Sequence, residues 1–109
     1  MGITMESLNR IELAGFVGTA RVFPIGDTTA VRFSVATNYG YNDKDGCPVI
    51  ETTWHNVIAF SGKDMPDFYK LERGTMVHVI GRLRKQKYID ANGNDRESIE
   101  VIANKIEIN

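Results

Sequence analysis

Lys63-Asp64-Met65-Pro66-Asp67-Phe68-Tyr69-Lys70-Leu71-Glu72 breaks the pattern of the sequence around it. Its apolar residues Met65, Phe68, Tyr69 and Leu71 are spaced as on a short helix, and Gly74 stops it. Both flanks read as strands. On the N-terminal side the first run, Asn9 to Val22, carries Ile11, Leu13, Phe16 and Val17, with Gly15 and Gly18 at bends or bulges. The turn cluster Pro24-Ile25-Gly26-Asp27 separates it from Thr29 to Tyr39, where Val31, Phe33, Val35 and Thr37 alternate with Arg32, Ser34, Ala36 and Asn38. A polar loop, Gly40 to Pro48, leads into Val49 to Phe60, rich in strand-forming Thr, Trp, Val, Ile and Phe. Beyond the helix, Met76 to Tyr88 is a fourth strand. Asp90 to Asp95 is a hairpin loop in which Asn92-Gly93 supplies positive backbone angles, and Ser98 to Ile108 is the last strand.

Three strands, a short helix and two more strands make an all-β protein whose order is that of a five-stranded OB barrel. A five-stranded sandwich or an SH3-like barrel has the same strand count, but the helix between the third and fourth strands favours OB. The 109 residues hold one domain, 1–109, with 1–8 expected to be a flexible N-terminus. Hydrophobic residues at 42% and charged residues at 25% are the balance of a soluble globular chain. No run approaches the roughly 20 apolar residues of a membrane span. The start lacks a basic region followed by an apolar run, and the myristoylation pattern fails at Glu6, so the expected location is cytoplasmic and nucleoid-associated. The lone Cys47 forms no internal disulfide, and His55 and His78 give no metal spacing. Asp90 and Asp95 have no partner histidine, and no serine sits in a nucleophile elbow. A non-enzyme without cofactor or metal is expected.

The third strand points to a binding role. Trp54, Asn56, Ile58 and Phe60 share one face, and His55, Val57 and Ala59 the other. The small set suits a narrow barrel interior, which turns Trp54 and Phe60 outward, where large aromatics lower solubility unless they meet a partner. The competing reading, with the aromatics in the core, is the bland one. Tyr39 and Tyr41 lie where the second strand meets its loop, and Tyr88 ends the fourth. The face of strands two and three is where OB barrels take oligonucleotides, and each base stacked on an aromatic ring is worth about 1–3 kcal/mol whatever its sequence.

Thirteen basic residues against 14 acidic give a net charge of −1, so a basic surface must come from segregation. Arg82-Leu83-Arg84-Lys85-Gln86-Lys87-Tyr88 holds four cations and no acid, while Arg10, Arg21, Arg32, Lys44, Lys63, Arg73 and Arg96 are scattered. Acids gather elsewhere, as Asp64, Asp67 and Glu72 on the helix and Glu97, Glu100 and Glu107 on the last strand. A basic cluster also serves as a solvated strand edge that blunts aggregation; interleaved aromatics favour nucleic acid.

Asn9-Arg10-Ile11-Glu12-Leu13-Ala14-Gly15-Phe16-Val17-Gly18, Phe33-Ser34-Val35-Ala36-Thr37, Thr53-Trp54-His55-Asn56-Val57-Ile58-Ala59-Phe60, Lys70-Leu71-Glu72-Arg73-Gly74 and Val79-Ile80-Gly81-Arg82-Leu83-Arg84 together resemble the bacterial single-stranded DNA-binding protein family, in order over nearly the whole chain. The resemblance implies an OB fold that binds single-stranded DNA without sequence preference in replication, repair and recombination, as a homotetramer with no membrane association. The family's stacking aromatics fall on Tyr41, Trp54, Phe60 and Tyr88; members often carry Trp at the positions of Tyr41 and Tyr88, so weaker binding is expected. Its backbone-contacting cations fall on Arg10, Arg21, Lys63, Arg73, Arg84, Lys87 and Arg96, with Arg32 added from the charge pattern, and His55 matches a subunit-interface position. Members commonly continue into a flexible segment with an acidic tip that recruits repair and replication enzymes. This chain ends at Glu107-Ile108-Asn109, either trimmed or naturally short, and no tail-mediated recruitment is expected from it. Two other readings compete. One is a primosome-type OB protein, dimeric and acting mainly through protein contacts; the other is an OB module for a protein or an oligosaccharide.

Overall fold

Alternation along each run decides which residues face inward. Leu13 and Val17, Val31, Phe33 and Val35, Val57 and Ala59, Val77 and Val79, and Val101, Ala103 and Ile106 form one buried cluster. The computed structural model describes residues 7–109, so most of the expected flexible stretch 1–8 lies outside the described residues. Its strands are β1 (Ile11–Ile25), β2 (Thr28–Asn42), β3 (Pro48–Phe60), β4 (Met76–Ile89) and β5 (Asp95–Ile108). They close into a barrel in the order β1-β2-β3-β5-β4. Every neighbouring pair is antiparallel except β3 and β5, which run parallel and meet only at Val57–Val101 and Ile58–Ile102. Above that short junction the β2–β3 and β4–β5 hairpins extend as two arms.

Two glycines let the strands close. A Cβ at Gly15 would stand 2.1 Å from the Ala36 carbonyl oxygen, and one at Gly81 would stand 2.2 Å from that of Ile102. Gly15, expected at a bend or bulge, marks a close approach of β1 to β2. The register slips between Val17 and Ala20, which puts the β-bulge at the expected Gly18. A second slip, where Ile80 pairs with Lys105 and Gly81 with Ala103, explains why the inward phase of β5 changes from Val101 and Ala103 to Ile106. At the N-terminal end Asn9 extends the β1–β4 ladder with its side chain, donating to the Leu83 carbonyl and accepting from the Leu83 N–H.

The helix expected across Lys63 to Glu72 is a single 3-10 turn, Phe68–Lys70. Pro66 disfavours helical backbone at Met65, Asp64 holds a positive φ of 66°, and the Asp67 carboxylate accepts from the Tyr69 N–H as an N-cap. What survives of the helical spacing is its packing. Phe68 and Leu71 are buried and Met65 packs against the cluster, so this segment plugs one end of the barrel.

Both arms turn on the same five-residue device. In Asp43-Lys44-Asp45-Gly46-Cys47 the Asp43 carboxylate accepts from the N–H groups of Asp45 and Cys47. In Asp90-Ala91-Asn92-Gly93-Asn94 the Asp90 carboxylate does the same for Asn92 and Asn94. Gly46 and Gly93 carry the positive φ, 78° and 80°; Asn92, expected to share it, does not. The first loop is shorter than expected, because β2 and β3 stay paired out to Asn42 and Pro48.

Candidate nucleic-acid interface

Register determines which side chains meet on the outside of the barrel. Across β2 and β3 the pairs Ala36–Trp54, Ser34–Asn56, Arg32–Ile58 and Ala30–Phe60 point away from the core. From β1, Phe16 stands opposite Ala36, Arg21 opposite Arg32 and Phe23 opposite Ala30. The outer face is therefore banded, with an aromatic row at Trp54, a polar row at Ser34 and Asn56, a basic row at Arg21 and Arg32, and an aromatic row at Phe60 and Phe23.

Trp54 lies over the β1 bulge. A Cβ at Gly18 would be 2.4 Å from its Cζ3 and 2.9 Å from its Cη2, so the absence of a side chain there lets the indole rest against the backbone. Trp54 as a whole residue is still 57% exposed. One side is seated and the rest is open. Phe60 is 39% exposed and shares its row with the small buried Ala30 and the half-buried Phe23. Ile58, on the same face, is buried.

The other two expected aromatics lie elsewhere. Tyr88 is half-exposed on the β4–β5 arm, opposite Arg96. Tyr41 is on the odd-numbered side of the β2–β3 arm, the opposite side from Trp54, with Tyr39 beside it at a ring separation of 6.0 Å. A ligand touching all four must pass over an edge of that arm. His55, on the same side as Tyr41, is half-buried with Nε2 2.8 Å from Thr37 Oγ1.

The cations divide by their partners. Arg84 is held by Glu100, a carboxylate buried to 7% exposure. Arg96 Nε is 2.8 Å from Asp90 Oδ2, and the guanidinium together with the turn amides holds the Asp90 carboxyl below its ordinary value. Arg10 lies 3.9 Å from Glu12; Lys87 is in register with Glu97, but the ion pair of Glu97 is with Lys85, at 3.6 Å. Among the described residues Arg21, Arg32, Lys63 and Arg73 form no ion pair within 4.0 Å. These four follow the outer face. Arg73 precedes Gly74, whose N–H bonds to the Val17 carbonyl beside Gly18; Lys63 follows the Phe60 end, where Ser61 bonds to Thr29.

A cleft of about 380 Å³ opens beside the basic row, between the barrel wall and the base of the β4–β5 arm. Arg21, Arg32, Ser34 and Asn56 line it from one side and Gln86, Ser98 and Glu100 from the other. Asn56 lies on the face with Trp54 as the alternation of the third strand implies, whereas Gly18 as the seat of Trp54, the Arg21–Arg32 pairing and Phe23 as a member of the face were not legible in the sequence. The signal lies in register, which a single strand's alternation does not carry. Among the described residues no group of His, Cys, Asp and Glu could hold a metal ion, and no helix is long and apolar enough to cross a membrane.

Solved structures resemble this barrel. The Plasmodium falciparum SSB in complex with ssDNA aligns with a TM-score of 0.81 at 28% identity, covering 97% of each chain. A small single-stranded DNA-binding protein from Streptomyces coelicolor aligns at 0.73 and 24% identity, covering 96% of each, a likeness of fold. Among curated relatives, the single-stranded DNA-binding protein of Neisseria meningitidis serogroup A is 31% identical over 105 residues, 94% of this chain and 60% of the relative, so the chain spans about three-fifths of that protein's length. Single-stranded DNA-binding protein 1 of Xylella fastidiosa is 34% identical over 108 residues, 95% of this chain and 79% of the relative. The model of the Single-strand binding protein family matches residues 8–109. With the closed five-stranded barrel, this match over nearly the whole length places the chain in the Single-strand binding protein family.

Proposed function

We propose that this chain binds single-stranded DNA without regard to sequence and shields it during replication, repair and recombination, with no chemistry of its own. The observation that carries the reading is the banded outer face, with exposed rings of Trp54 and Phe60 on either side of a row of unpaired arginines. Rings stack on any base, and cations meet a backbone whose charge does not depend on sequence. Trp54 and Phe60 are the first platforms, with Arg21, Arg32, Lys63 and Arg73 meeting phosphates along the same face. Tyr41 and Tyr88 extend the path over the two arms, with Lys87 beside Tyr88. Arg10, Arg84 and Arg96 take a smaller share, because each already faces a carboxylate.

The relatives support this reading by their names, and the Plasmodium falciparum neighbour by its bound strand. The working form is a cytoplasmic homotetramer of single OB domains, with His55 at a subunit contact. The test is fluorescence anisotropy of a labelled oligo-dT, with a duplex of the same length as competitor. Tight binding that the duplex does not compete away, weakened by more than about 1 kcal/mol in Trp54→Ala, is the expected result. Equal affinity for duplex, or full affinity in a folded Trp54→Ala protein, overturns it.

A further inference from the structure

We infer that Arg21 and Arg32 act as one unit, jointly holding a single phosphodiester of the bound strand between the bases on Trp54 and on Phe60. The inference rests on the DNA-binding reading above and adds to it a shared subsite. The two arginines are direct cross-strand partners on β1 and β2, pointing from the same face. Side chains so placed start about 5 Å apart at Cβ, close enough for both guanidinium groups to reach one anion. Like charges directly opposite each other destabilise a sheet. Several other cations have a carboxylate beside them: Arg10, Arg84, Arg96, Lys85 and Lys105 each stand within 4.0 Å of one. Arg21 and Arg32 have no such partner among the described residues.

Their surroundings fit an anion of the strand. The cleft they line offers uncharged hydrogen-bonding groups, Ser34 and Asn56, and its one acidic lining residue, Glu100, is already neutralised by Arg84. The basic row also lies between the two aromatic rows of the outer face. A strand whose bases stack on Trp54 and Phe60 must carry its backbone across that row. Two forked donors converging on one phosphate give a charge-assisted, directional contact.

Counterion release distinguishes one shared phosphate from two. Each phosphate neutralised on a single strand contributes about 0.7 to the slope of log affinity against log salt. Oligo-dT binding is measured at several salt concentrations for the wild type, R21Q, R32Q and the double variant, with thermal melts to verify folding. The expected result is that each single variant binds several-fold more weakly at a nearly unchanged slope, because the remaining arginine still neutralises the phosphate. The double variant then loses about 0.7 of slope. A loss of about 0.7 in each single variant and about 1.4 in the double means two separate phosphates and overturns the inference, as does a wild-type slope in the double. Inorganic phosphate at constant ionic strength should not displace the oligonucleotide selectively. Selective displacement that vanishes in the double variant would make the pair a small-anion site instead. If the wild type shows no salt-dependent binding of oligo-dT, the DNA-binding reading itself fails, an outcome distinct from all of these.

Discussion

Gly18→Ala tests whether the Trp54 platform is set by the bulge beneath it. The added Cβ would stand 2.4 Å from Trp54 Cζ3 and 2.7 Å from Ser34 Oγ. Carbon atoms pack at about 3.5–4.0 Å, so the near edge of the indole must retreat by more than about 1 Å. Trp54 is an exposed residue outside the core cluster, so its ring can lift without opening the core. Alanine also costs less than glycine in a strand by about 0.5–1 kcal/mol, and urea denaturation should place the variant within about 1 kcal/mol of wild type. A tilted ring stacks poorly. Full loss of one stacked base is worth about 1–3 kcal/mol, and a displaced ring forfeits part of it, about 1 kcal/mol or roughly five-fold in affinity. The assay is oligo-dT affinity, with the Trp54 emission spectrum of the unbound protein as the report of ring position. Because the effect runs through the indole, Gly18→Ala added to Trp54→Ala should weaken binding no further. Equal weakening in both backgrounds, or an unshifted emission spectrum, would refute the reasoning.

Three further outcomes follow from the geometry. Arg84→Ala leaves the buried Glu100 carboxylate uncompensated and should cost about 2 kcal/mol of stability, the half-exposed arginine discounting the larger figure of a fully buried pair; urea denaturation measures it, and a change under about 0.5 kcal/mol would refute it. Leu71→Ala removes a buried side chain from the plug of the barrel and should cost about 2–5 kcal/mol by the same assay, despite the weak secondary structure around it. The Asp90 carboxyl is held low first by Arg96 and then by the Asn94 and Asn92 amides. Its stabilisation of the arm tip is present above the ordinary carboxylate value of about 3.9 and fades only as pH falls through the lowered one. Amide chemical shifts of Asn92 and Asn94 should therefore titrate with a midpoint below about 3.9; a midpoint at or above it would refute the assignment.

Much of the fold could be read in the sequence. The five strand runs and the break at Lys63–Glu72 lead to the barrel, and the small inward set Val57 and Ala59 turns Trp54 outward, as the structure has it. The helix was overstated because its apolar spacing reports packing against the barrel end, whereas Pro66 and the left-handed Asp64 decide the backbone. The candidate face was less legible, because alternation gives each strand two faces without saying which faces of two strands coincide. That depends on loop length. The five-residue turn at Asp43–Cys47 pairs Tyr41 with Val49 and Ala36 with Trp54, which separates Tyr41 from Trp54. The same dependence hides the partners of Arg84 and Arg96. In sequence they look like free cations, and only the β4–β5 register and turn bring Glu100 and Asp90 to them. Gly18 reads as a bulge, and nothing in its own strand says that an indole from β3 lies on it.

In the proposed arrangement bases stack on Trp54 while the arginines beside it meet the backbone. Titration of the intrinsic fluorescence with unlabelled poly-dT, at low and at high salt, reports on this ring alone, since the chain has one tryptophan. Strong, saturable quenching is expected, with an affinity that falls as salt rises by about 0.7 log units per phosphate contact for each log unit of salt. A folded protein whose tryptophan emission does not respond to poly-dT at either salt concentration would contradict it.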